Sequence, residues 1–399
     1  MTLRTTILIM SAFGVISDSI LIAFYPQFFQ ARYGLTSSVH VGAYIAAISI
    51  AVMCMLPVWA RVNRHVETMH LLVYTQFVAA SLCVAAAWAP NVESYWALTL
   101  LMFMTKASYL LMFPYLMRLE KPENHSITMG LLSVVIHIGA IFGAAVGGLA
   151  LQEYGPRFCL WLMAAGDFAQ MALCIYLIRR GKVVRVLSAS LADRKAVLPK
   201  RTAGSLSVLL KLCLLMLLFD FSAYLVRPFF SVYWEATSGI HQQMLTGVVF
   251  AIPGMVALVA LLIKHRMKRT PRLMEHTLGN LLLGAVGLAL QATPSLPLII
   301  IGRCLYGWAM YQVIIKLEVT LFKVSTPDAY ARDFSVTNFF QNLGVLLSSF
   351  SAGFLVSLVG IPTTFLIAAC GMLLVAAIDR GFFGVDRRHA ETGELSHAS

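Results

Sequence analysis

Residues 127–151 form one long, mostly apolar run, and a run of that length is a membrane-crossing helix. From Gly130 to Gly148 it reads Gly-Leu-Leu-Ser-Val-Val-Ile-His-Ile-Gly-Ala-Ile-Phe-Gly-Ala-Ala-Val-Gly-Gly. Helical spacing puts Gly139, Gly143 and Gly147 on one stripe, where a neighbouring backbone can come close. Gly130, His137 and Gly148 fall on roughly the opposite face. Close helix packing alone would account for the stripe.

The rest of the chain extends this reading. It is 59% hydrophobic and 12% charged, with a mean hydropathy of +0.80. Those values describe an all-α polytopic membrane protein, not a soluble core. Hydropathy predicts twelve spans, at 5–29, 40–60, 70–89, 95–117, 127–151, 158–178, 206–234, 246–263, 274–291, 296–322, 334–359 and 363–378. The first is too long for a signal-peptide core and is kept as a span.

A net charge of +12 invites a nucleic-acid partner, but its distribution argues for a lipid bilayer instead. Basic residues gather on alternate loops: Arg61 and Arg64, Arg118 and Lys121, the stretch 179–201, the stretch 264–272, Lys323 and Arg332, and Arg380 to Arg388. The opposite loops hold only Arg32 and Arg157. This positive-inside bias places both termini in the cytoplasm of a cell membrane, the inner membrane in a bacterium. The basic segment after span six is also suited to anionic lipid heads. The seven cysteines lie in or at the ends of spans, with no metal-ligand or disulfide spacing, and read as packing residues.

The two halves of the chain repeat each other. Asp18, Pro26 and Phe28-Phe29 in span one are echoed by Asp220, Pro228 and Phe229-Phe230 in span seven. Gly139, Gly148 and Gly155 are echoed by Gly344, Gly353 and Gly360 at a nearly constant offset. Such ordered matches predict two homologous six-helix halves, at 1–181 and 206–382. A polar cytoplasmic linker, 182–205, joins them, and a cytoplasmic tail, 383–399, follows.

This architecture resembles the major facilitator superfamily over nearly the whole chain. The Asp-x7-Pro of span one and the span-five pattern, glycine, eight residues, glycine, three residues, Gly-Ala, two residues, Gly-Gly, are similar to the twelve-span drug:proton antiporter group. Ala144 stands where that signature has proline, and flanking glycines can also bend a helix. The family's charged loop between spans two and three is replaced by Pro57-Val-Trp-Ala-Arg61-Val-Asn-Arg64-His65, without its acid or glycines. Glu67, Glu120 or Glu123 would then be the acids available to Arg61 or Arg64.

A charged side chain at a helix centre costs roughly 2.5 to 3.5 kcal/mol on insertion scales, so it needs a partner, water or a substrate. This chain has Asp18 in span one, Lys106 in span four, Asp220 in span seven and Arg303 in span ten. The resemblance implies that these four helices line a central cavity. Asp18 and Asp220 are candidates for proton coupling, because apolar surroundings favour the protonated carboxyl. An ion pair between Asp18 and Lys106 is the plainer alternative. Tyr109 follows Lys106, and Tyr306 follows Arg303, at a spacing that shares a helix face. Each base–tyrosine pair either balances an acid and packs, or binds an anionic group of a substrate. Asp220, Tyr224 and Arg227 share a face of span seven, with Arg227 able to snorkel outward.

Tyr25, His137, Gln341 and Asn342 complete the candidate substrate contacts. Packing is the competing role for each, and Asn338 shares the polar stretch of span eleven. Asp167 reads as helix packing, because span six is peripheral in the family. Lys316 and Glu318 lie near the inner end of span ten.

No nucleophile–base or metal-ligand constellation appears, so no enzyme activity, catalytic group, metal or cofactor is assigned. There is no phosphate-binding loop for primary energy coupling. The expectation is a proton-coupled secondary transporter, exporting a small molecule by alternating access and acting as a monomer. A drug-like compound, a siderophore or an acidic metabolite would suit it. Uptake of a siderophore or organic anion, and a receptor or scaffold that moves nothing, are the alternatives.

Overall fold

The structure is a computed structural model that describes residues 3–63, 65–112, 115–116, 125–181, 183, 203–266, 277–324 and 330–396. These residues form helices and short connections, with no strand among them. Nine of the described helices are long and apolar enough to cross a membrane. One of these, Val336–Phe382, carries two of the expected spans, and Thr277–Gln291 is a shorter apolar helix. The polar segment 182–205 lies almost wholly outside the described residues.

The repeat seen in the sequence is a repeat of helix breaks. Span one runs Leu3–Ile22, turns, and resumes as Tyr25–Tyr33. Span seven runs Ala203–Tyr224, passes through the 3-10 turn Arg227–Phe229, and resumes as Phe230–Ser238. A proline ring clashes with the carbonyl one turn back, here Ile22 for Pro26 and Tyr224 for Pro228. Those are the last helical residues of each first segment. Asp18 and Asp220 therefore sit in the final turn before a break. Side-chain hydroxyls meet the exposed backbone there: Ser231 donates to the Ala23 carbonyl, and Tyr306 donates to the Ala223 carbonyl. A second pair of breaks falls at Gly155 and Gly360, both with φ of 80°. A residue bearing a Cβ rarely adopts that conformation.

The chain divides into two compact units. The first comprises Met1–Ala196 and Pro228–Leu258, and the second comprises Val197–Arg227 and Val259–Ser399. The expected halves describe sequence symmetry, whereas compactness groups Pro228–Leu258 with the first half.

In the first unit the span-five helix, His125–Tyr154, packs closely on span one. A Cβ on Gly143 would lie 2.7 Å from the Ile16 carbonyl oxygen, and one on Gly147 would overlap the Ile20 carbonyl. On its other face, Gly148 abuts the Gln243 carbonyl, and the Ala144 carbonyl abuts Gly247. Ala144, in the place of the signature proline, thus belongs to a second close seam. Gly130 lies in the same helix, with its surroundings outside the described residues. In the second unit Gly344 repeats the role of the span-five glycines, abutting the Leu217 carbonyl of span seven.

Both bases of the sparsely charged loops have structural partners. Arg32 donates to the carbonyls of Ala86, Ala87 and Ala89, at 3.4, 2.8 and 3.2 Å, and so closes the end of the helix Thr68–Ala86. Arg157 lies 5.4 Å over the Trp88 ring. Glu67 caps the start of Thr68–Ala86 by accepting from the Met69 and His70 backbone at 2.8 and 3.1 Å. The same carboxylate lies 3.0 Å from His70 Nδ1, and it makes no ion pair with Arg61, one of the two arginines to which it was available. Arg64, Glu120 and Glu123 lie outside the described residues.

Candidate functional site

In the first unit, spans one, four and six meet around one ammonium group. Glycines allow spans one and six to approach: a Cβ on Gly166 would lie 3.0 Å from the Ser17 Cβ, and one on Gly14 would overlap the Gln170 amide. Ser17 then donates to the Met163 carbonyl at 2.9 Å, and Gln170 Nε2 donates to the Met10 carbonyl at 2.7 Å. These two bonds fix the register of span six, Pro156–Arg179, against span one.

Lys106 enters this seam from span four. Its Nζ lies 2.9 Å from Asp18 Oδ1, 2.7 Å from Asp167 Oδ1 and 2.8 Å from Ser17 Oγ. An ammonium has three N–H donors, and three acceptors surround this one. The helix Val92–Lys106 ends on this residue and tightens into the 3-10 segment Ala107–Leu111. In a 3-10 helix, side chains three apart eclipse each other. Tyr109 accordingly points the same way as Lys106 and donates to Asp18 Oδ2 at 2.9 Å.

The two acids differ in their access to solvent. The Asp18 side chain is 28% exposed, whereas Lys106 is 1% and Asp167 0% exposed. Two carboxyls share one ammonium, so one acid is in excess. Burial makes such an excess charge costly unless a proton or a cation neutralises it. Asp167, expected to serve packing, is a full member of this cluster. The sequence signal that could have found it is Asp167 with Gln170 on one face of an apolar helix, matched to Gly14 and Ser17 on span one.

The second unit holds a different arrangement. Asp220 and Arg303 are each only 4% exposed, but Asp220 makes no ion pair among the described residues. An ion pair between Asp220 and Arg303, one of the two alternatives for that base, is therefore not formed among the described residues. Another acid, Glu318, lies within electrostatic reach of Asp220. Arg227 lies 5.0 Å over the Tyr224 ring. The Tyr306 hydroxyl lies within electrostatic reach of Arg303, Arg227 and Tyr224.

The remaining candidates fall elsewhere. Tyr25 is buried in an aromatic cluster, 5.2 Å from the Tyr44 ring, and Tyr44 in turn donates to Thr99 at 2.9 Å. His137 is half-buried on span five. Gln341 is half-buried and Asn342 exposed, and the Asn342 amide donates to the Asn338 carbonyl of its own helix at 2.8 Å.

The family model described as Major Facilitator Superfamily matches residues 7–279. Solved transporters share the fold at low sequence identity. The nucleoside transporter NupG is 15% identical with a TM-score of 0.70, covering 96% of this chain and 99% of its own. The human organic anion transporter MFSD10 (TETRAN) is 14% identical with a TM-score of 0.70, covering 94% and 98%. The POT family transporter PepTSo is 9% identical with a TM-score of 0.75, covering 98% of each chain. No curated protein matches the sequence.

Proposed function

The chain belongs to the major facilitator superfamily, and we propose that it is a proton-coupled secondary transporter in which the Lys106 cluster takes up and releases the proton. The carrying observation is one buried ammonium held by two carboxyls, of which only Asp18 is substantially exposed. Asp18 is the acid that exchanges with water, and Lys106 holds both acids in place. Taking up one proton changes the cluster from net negative to neutral, which supplies the differential interaction that alternating access requires. Asp220, buried without an ion-pair partner among the described residues, is a second acid able to respond to the proton gradient.

The substrate is a small organic molecule: a drug-like compound, a siderophore or an acidic metabolite. Export is the favoured direction, on the resemblance of the span-one and span-five motifs to the drug:proton antiporter group. With three acceptors around its ammonium, Lys106 is assigned to the cluster and not to substrate. An acidic group on the substrate suits the Arg303 guanidinium, whereas the Tyr306 hydroxyl beside it is already donated to the Ala223 carbonyl. The loop charge bias supports a multi-pass protein with both termini in the cytoplasm. Flux in proteoliposomes under an imposed pH gradient, screened against these compound classes, tests the reading.

A further inference from the structure

We propose that, in this conformation, the proton of the Lys106 cluster resides on Asp167 and that its Oδ2–H donates to the side-chain oxygen of Gln170. This rests on the proton-coupled reading above and deepens it by assigning the proton to an atom. Asp18 Oδ2 accepts from the Tyr109 hydroxyl at 2.9 Å, and Asp18 Oδ1, although buried with no hydrogen bond among the described residues, lies 2.9 Å from the Lys106 ammonium. Asp18 is also partly exposed, so water adds to its solvation.

Asp167 is arranged differently. Its Oδ1 lies 2.7 Å from the Lys106 ammonium and 3.3 Å from the Ser17 hydroxyl, whose one proton is shared with the nearer Met163 carbonyl, and its Oδ2 is buried with neither an ion-pair contact nor a hydrogen-bond partner among the described residues. A buried carboxylate oxygen without a donor is costly. Gln170 Oε1 has the same defect, being buried with no hydrogen-bond partner among the described residues. Its amide cannot simply be reversed, because Nε2 donates to the Met10 carbonyl at 2.7 Å and two oxygens would then face each other. Asp167 and Gln170 are three apart on one helix and share a face. One proton on Asp167 therefore satisfies two orphaned acceptors.

Span three adds a third orphan at the same height. The Phe77 ring packs 6.3 Å from Phe168, and the Cys83 thiol donates to the Leu160 carbonyl at 3.2 Å. This antiparallel register brings Gln76 level with Asp167. Both amide atoms of Gln76 are buried without a hydrogen-bond partner among the described residues, so an ionised Asp167 has no donor from it in this conformation. The titratable groups facing Asp167 are Lys106 and Tyr109 of span four, Asp18 of span one and Cys83 of span three. Moving the proton from Asp167 to Asp18 leaves the cluster's charge unchanged, since one carboxyl loses a proton and the other gains it. Asp18 is then the acid that trades with water, and Asp167 is the store.

Infrared difference spectroscopy of the purified full chain at neutral pH tests this through the C=O stretch of protonated carboxyls. Buried Asp220 and Glu318 contribute to the same region, so parent-minus-variant spectra are compared. Asp167→Asn is expected to remove a protonated-carboxyl band, and Asp18→Asn is expected to leave it. Gln170→Leu is expected to move the band to higher frequency, because its hydrogen bond is lost. A band lost in Asp18→Asn but kept in Asp167→Asn overturns the proposal, as does no band lost in either. If Asp167→Asn fails to fold, an unmoved band in Gln170→Leu overturns it. Proton-driven flux of the parent is measured separately. A parent indifferent to the pH gradient sinks the coupling reading, while the band still decides where the proton sits.

Discussion

The Lys106 ammonium lies 2.7 Å from Asp167 Oδ1 and 2.9 Å from Asp18 Oδ1, so its shorter contact is to the fully buried acid of span six. Spans one, four and six are tied together by one charge, and that arrangement has consequences for stability as well as for transport.

Removing the base leaves both acids without their ammonium. Lys106→Met is expected to destabilise the purified protein by about 3 kcal/mol, the lower end for breaking a buried pair. Adding Asp18→Asn to it should recover part of that loss, because the excess negative charge is removed. Thermal unfolding of the single and double variants reads the coupling. Strictly additive losses would mean that Lys106 and Asp18 do not interact energetically.

Lys106 and Arg303 should behave differently towards an acidic substrate. Arg303→Gln is expected to weaken its binding on the order of tenfold, the scale of a hydrogen bond to a charged group. Arg303→Lys should rescue only part, since a point charge lacks the planar fork of guanidinium. Ligand affinity of the purified variants across pH checks this. Unchanged affinity in Arg303→Gln would move the substrate's anion away from span ten.

The glycine seam gives a graded series. At Gly139 a Cβ would meet the Val15 side chain at 3.0 Å, and a side chain can shift. At Gly147 it would overlap the Ile20 carbonyl, and backbone cannot move cheaply. Gly139→Ala is therefore expected to be mild, and Gly147→Ala to cost about 1–3 kcal/mol, the usual range for overpacking. Gly344→Ala should match Gly147→Ala, because it faces the Leu217 carbonyl. Unfolding midpoints of the three variants decide the order.

Arg32 offers a control away from the acids. Arg32→Ala removes the donor to Ala86, Ala87 and Ala89, and should cost about 1.5–3 kcal/mol, as expected for charge-assisted bonds. The pH dependence of transport should not change. A shifted pH profile would implicate the C-terminal end of span one in coupling.

How much of this was legible in the sequence depended on how local each cause is. The breaks after Ile22 and Tyr224 follow from proline chemistry one turn away, and the echo of Asp18-Pro26 in Asp220-Pro228 exposed them. The close face at Gly143 and Gly147 was readable from spacing alone. Asp167 was not, because its meaning depends on how span six is rotated and slid against spans one and four. Ser17, Gln170 and the two glycines between them set that register, and none carries a charge. The 3-10 segment Ala107–Leu111 was also hidden, since it contains neither proline nor glycine. Opposite charges on spans seven and ten suggested a pair, but the Asp220 carboxyl and the Arg303 guanidinium do not meet.

The most direct test of coupling is proton movement driven by substrate. Purified protein is reconstituted in proteoliposomes loaded with a pH-sensitive dye, and a transported compound from the screened classes is added without an imposed gradient. Coupling through the Lys106 cluster predicts a pH change in the lumen with the parent and none with Asp18→Asn, although the variant still folds and binds the compound. Substrate flux in the parent with no accompanying proton movement, or an undiminished pH change in Asp18→Asn, would contradict it.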